Sequence, residues 1–113
     1  MIIAIVLFAL SAVFGATMAI MRLRGRLLPP MGLALVHGPL AAAGLVFLLV
    51  AVLSGGAADL IRIALIVFIA AALGGFFLFS FHLRGKALPV PLVLVHGLVA
   101  VGGFVILLIG TFS

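Results

Sequence analysis

The chain has 113 residues, 69% hydrophobic and 6% charged, with six Lys or Arg against a single acid, Asp59, and a formal net charge of +5. A soluble domain carries roughly a quarter charged residues, so an ordinary water-soluble domain is excluded and the solvent for most of the chain is lipid. The absence of cysteine excludes disulfides, thiolate metal sites and Cys nucleophiles, and one carboxylate excludes two-carboxylate hydrolysis and an acid-rich metal cage.

A helix needs about 20 apolar residues to cross the hydrocarbon core, and four such runs follow one another. The first is Ile2 to Met21. It starts without a positively charged stretch and is too long for the apolar segment of a signal peptide, so it is expected to be a retained membrane helix. Arg22-Leu23-Arg24-Gly25-Arg26 ends it. The second starts after Pro29-Pro30, runs to about Leu53 and stops at Ser54-Gly55-Gly56. Asp59 and Arg62 mark the start of the third, Leu60 to Phe81, which ends at His82-Leu83-Arg84-Gly85-Lys86. The fourth is Val90 to Phe112. Pro29, Pro30, Pro89 and Pro91 suit the first turn of a helix, where no N–H is needed. Short connections make consecutive helices antiparallel neighbours. The expected fold class is therefore an all-α membrane protein, a single four-helix transmembrane domain over residues 1–113.

Charge orients it. Arg22, Arg24, Arg26, Arg84 and Lys86 all lie in the two loops at one end, and Arg62 alone lies at the other. That bias predicts both Arg-Gly loops in the cytoplasm and both termini outside, in a bacterial inner membrane. The basic residues border spans instead of lining a soluble face, which argues against nucleic acid. They suit anionic lipid headgroups, at about 1 kcal/mol per basic residue.

The two halves repeat, residues 1–53 in residues 59–113. Leu23-Arg24-Gly25-Arg26-Leu27-Leu28-Pro29 matches Leu83-Arg84-Gly85-Lys86-Ala87-Leu88-Pro89. Leu35-Val36-His37-Gly38 matches Leu94-Val95-His96-Gly97, and Gly15 matches Gly75. Duplication of a two-helix hairpin puts both copies in the same orientation, related by a pseudo-twofold axis along the membrane normal. His37 and His96 then lie at one depth.

Positions i, i+4 and i+7 share a helix face. For His37 these are Ala41 and Gly44; for His96, Ala100 and Gly103. Intramembrane ionisable residues face the bundle interior, and small residues beside them either permit close helix packing or leave a slot. Four readings are open. The imidazoles bond backbone and serve packing. They hold a b-type haem as axial ligands, with room for the macrocycle at the Ala and Gly positions and with Arg24 and Arg84 among the basic residues near its propionates. They bind a metal such as copper, for which two nitrogens are too few unless chains pair. Or they form a proton or quinone site. His82, aligned with Arg22, is expected to be interfacial and solvated. Phe76, Phe77, Phe79 and Phe81, beside Gly74-Gly75, face lipid or another subunit.

In size the chain is similar to the small multidrug resistance transporters, but the first span lacks the acid those proteins use. The small fluoride channels are also similar in size alone. Membrane cytochromes b offer the nearest chemical analogy, through paired His and nearby Gly. The sequence thus points to a small integral membrane protein, for which haem b between His37 and His96 with a redox role is the concrete hypothesis. The alternatives are a cofactor-free accessory or structural subunit, in a homo-oligomer or larger complex, and a small transporter or channel. Catalysis is not expected.

Overall fold

The computed structural model describes all 113 residues as four helices: α1 (Ile2–Leu23), α2 (Met31–Leu53), α3 (Asp59–Leu83) and α4 (Val90–Phe112). Each is long and apolar enough to cross a membrane. The bundle is 44 Å long and 19 Å across, against a hydrocarbon core of about 30 Å. α1 packs most closely on α2 and α3 on α4; α2 also touches α3, and α1 touches α4. The helices therefore stand in a square, with α1 and α3 on one diagonal and α2 and α4 on the other.

α1 and α3 outrun their apolar runs by two residues, because each continues until a glycine can turn the chain. Gly25 (φ 101°) and Gly85 (φ 64°) take the left-handed conformation. Arg26 N–H then donates to Met21 O at 3.0 Å and Gly25 N–H to Arg22 O at 3.1 Å. At α3, Lys86 N–H donates to Phe81 O at 2.9 Å and Gly85 N–H to His82 O at 3.2 Å. Both Arg-Gly loops thus close with the same paired cap, which satisfies carbonyls the helix end leaves free. Pro30 and Pro89 stand just before α2 and α4, and Pro91 lies in the first turn of α4. Pro39 lies inside α2. Lacking an N–H, it cannot donate to the Leu35 carbonyl one turn back.

The core is stacked in layers along the bundle axis. At the Asp59 end Ala4, Leu48, Ile61, Ala64, Leu65 and Leu107 are buried together. Phe8 and Phe68 follow, stacked across the α1–α3 diagonal with centroids 3.9 Å apart and planes within 1°. Near the Arg-Gly end Leu78, Leu88 and Val93 close the core. The rest of the apolar surface faces outward, as expected where lipid is the solvent. Phe76 and Phe77 are among these residues, at 72% and 54% exposed.

The Arg-Gly end is clasped between the halves. Arg22 Nε donates to Leu88 O at 2.7 Å, and His82 Nε2 donates to Pro29 O at 3.2 Å. Leu88 N–H also donates to Leu27 O at 3.0 Å. The expectation of a solvated His82 is corrected here. It is only 8% exposed and lies beside the Phe79 ring, with centroids 6.2 Å apart. The loop of the other half covers it, and hydropathy along its own helix carries no sign of that.

Candidate functional site

Between the phenyl layer and the Arg-Gly end lie the two histidines, His37 on α2 and His96 on α4. They meet across the α2–α4 diagonal of a single chain, with ring centroids 6.2 Å apart and planes 86° to one another. Both rings are half-buried.

Each imidazole is anchored to the other helix of its own hairpin. His37 Nδ1 donates to Ser11 O at 2.7 Å, and His96 Nδ1 donates to Ala71 O at 2.8 Å. A carbonyl can only accept, so Nδ1 of both rings carries a proton, and in the neutral imidazole the lone pair is then on Nε2. The Ser11 hydroxyl returns a bond to His37 O at 2.9 Å and lies 3.0 Å from His37 Nδ1. Ala71 stands at the matching place in the second half and lacks that hydroxyl.

The rings reach those carbonyls because the next turn is bare. Ser11 O and Ala71 O lie one turn before Gly15 and Gly75. A Cβ on Gly15 would stand 2.7 Å from His37 Cε1, and one on Gly75 would stand 3.1 Å from His96 Cε1. Glycine therefore lets a side chain share a carbonyl that already serves its helix. The recurrence of Gly15 at Gly75 was visible in the sequence, but its partnership with the histidines was not. Ser11 and Ala71 act through their backbone, which no residue type announces.

The other expected site residues lie elsewhere. Gly44 and Gly103 are buried, but a Cβ on Gly44 would meet the Phe8 ring at 3.1 Å, and one on Gly103 would meet Val67 at 3.1 Å and Phe68 at 3.5 Å. The room expected at these glycines for a macrocycle is thus filled by side chains from α1 and α3. Ala41 and Ala100 are half-buried between the His and Gly layers. Arg24 and Arg84 are exposed in the loops. Arg84 bonds Ser80 O and Ser80 Oγ, both at 3.2 Å, and lies over the Phe81 ring at 4.5 Å. Arg22 is the basic residue turned inward. No third His, Cys, Asp or Glu joins the two imidazoles.

Fold and site together define a small integral membrane protein, a four-helix bundle with two carbonyl-anchored imidazoles facing each other at membrane depth. No family model, curated protein or solved structure matches the chain.

Proposed function

We propose that this protein holds one transition-metal centre between His37 and His96. The carrying observation is the spacing of the rings. An imidazole nitrogen lies about 1.1 Å from its ring centroid and bonds a metal at about 2.0 Å, so two imidazoles on opposite sides of one metal have centroids about 6.2 Å apart. The rings stand at 6.2 Å already. The Nδ1–carbonyl bonds support the same reading. A ligating His donates its other ring N–H to a carbonyl or carboxylate, which orients the ring and raises its basicity.

A b-type haem shares this donor set, since its iron accepts axial imidazoles. The donors fit the iron, but the space does not fit the macrocycle, because Phe8 and Phe68 occupy the faces of Gly44 and Gly103. A haem-bound form would need the stacked phenyl layer to part. With almost no chain outside the helices, an electron or ion handled by the centre is handled within the bilayer.

One observation favours a rival reading as a cofactor-free structural or accessory subunit. The same Nδ1 bonds tie α2 to α1 and α4 to α3, which is a packing role complete in itself. Metal content and the visible spectrum, oxidised and reduced, of protein purified in detergent separate the two. About one metal per chain, lost in both His37→Ala and His96→Ala, is the expected result. Wild-type metal content equal to that of the variants, with no Soret band, overturns the proposal in favour of the rival.

A further inference from the structure

We infer that the ion held is monovalent copper, Cu(I), bound collinearly by His37 Nε2 and His96 Nε2. The inference rests on the metal-centre reading above and names its occupant.

Donor count is the first argument. Two imidazoles converge and no third His, Cys, Asp or Glu joins them. Zinc in a protein site takes four ligands, or three and a water. A filled-shell monovalent ion is satisfied by two donors in line, and imidazole suits copper. Two nitrogens are too few for an ion that needs three or four donors unless chains pair, and the two rings that face each other here belong to one chain.

Charge is the second. Imidazole ligates a metal as a neutral donor, and each ring here is bonded to a carbonyl, not to a carboxylate. The only acid, Asp59, stands at the far end beside Arg62, 3.5 Å away. Nothing at the site can neutralise an ion. The Born cost of burying charge grows as its square, so a divalent ion would cost about four times what a monovalent one does in the same low-dielectric surroundings.

Softness points the same way. Met18 lies one turn beyond Gly15, on the helix face shared with Ser11 and Gly15, where Leu78 stands in the second half. A thioether selects Cu(I) over harder ions, and the Ser11 hydroxyl is committed to His37 O.

The full chain in detergent is titrated with Cu(I) under anaerobic ascorbate against bicinchoninate, and in parallel with Zn(II). X-ray absorption reads the coordination. One Cu(I) per chain with two nitrogen neighbours is expected, with Zn(II) bound far more weakly. His37→Ala and His96→Ala should each weaken Cu(I) by more than the roughly 10–100-fold that loss of a supporting hydrogen bond costs a metal site. Should an alanine variant fail to fold, His96→Gln keeps an amide able to donate to Ala71 O and serves in its place. A Soret band without copper, or Zn(II) bound as tightly as Cu(I), overturns the copper inference and leaves the metal-centre reading standing. No metal and no haem overturns both.

Discussion

Gly15→Ala tests whether the His37 ring is seated where the geometry requires. The new Cβ would stand 2.7 Å from Cε1 and 3.0 Å from Nδ1 of His37. Both distances are too short, so the ring must swing away, and the 2.7 Å bond from Nδ1 to Ser11 O is lost. A hydrogen bond between membrane helices is worth about 0.6 kcal/mol on average and up to about 1.7. Re-seating an overpacked ring adds about 1–3 kcal/mol. Replacing Gly by Ala also returns about 1 kcal/mol of helix propensity. The control cancels that gain: a Cβ on Gly102, inside α4, meets nothing within 4 Å, so Gly102→Ala takes the propensity term alone. Gly15→Ala should therefore be less stable than Gly102→Ala by roughly 1.6–4.7 kcal/mol, the sum of the bond and re-seating terms. Reversible unfolding in mixed micelles reads the difference. Equal stability of the two variants would refute the seating of His37 on Gly15 and, with it, the tautomer argument for a free Nε2.

Other outcomes follow from the same contacts. Ser11→Ala keeps the backbone carbonyl that holds Nδ1 and removes the hydroxyl's contacts with His37 O and Nδ1, so it should cost about 0.6–1.7 kcal/mol in the same assay and leave metal content unchanged. Phe8→Ala empties one side of the stacked pair. Lipid solvates the unfolded phenyl as well as the core does, so chiefly the cavity term remains, about 2 kcal/mol for a void on the order of 100 Å3. His82→Ala leaves Pro29 O without its donor and should speed proteolysis of the Leu27–Pro30 loop; an unchanged cleavage rate would show that the clasp holds nothing. Labelling of a tag after Ser113 from outside the cell, and not from the cytoplasm, is the expected topology.

The spans were legible because a bilayer-crossing helix needs a length of apolar residues that a soluble chain of this size avoids. Their ends were off by one or two residues, since lipid hydropathy stops at the interface while the helix runs on to Gly25 and Gly85. His37 and His96 stood out because imidazole is rare in such runs. That they face each other within one chain was hidden, because the order of helices around a square is not encoded in hydropathy. Gly44 and Gly103 were open to either of two meanings. A bare backbone invites a close neighbour as readily as a slot, and Phe8 and Phe68 come from helices whose register with α2 and α4 only the packed structure supplies. His82 was misread for the same reason. Its burial is set by residues more than 50 positions away.

Matched positions meet similar needs with different chemistry, and the differences locate what the site requires. Arg22 and His82 are unlike side chains, yet each donates to a backbone carbonyl of the other half, so at that end any donor of sufficient reach is enough. Ser11 and Ala71 differ as well, yet each offers its carbonyl to an imidazole. Among the residues that seat the rings, histidine is the same in both halves, and so is the glycine on the neighbouring helix that lets it approach. A packing role is satisfied by one bond per ring, and other donors would serve it, as the clasp shows. Imidazole is the donor that, having given its Nδ1 proton to a carbonyl, still presents a lone pair on Nε2. Its use at both positions, with ring centroids 6.2 Å apart, is what the proposed two-imidazole centre would require, whereas one bond per ring from any donor would be enough for packing.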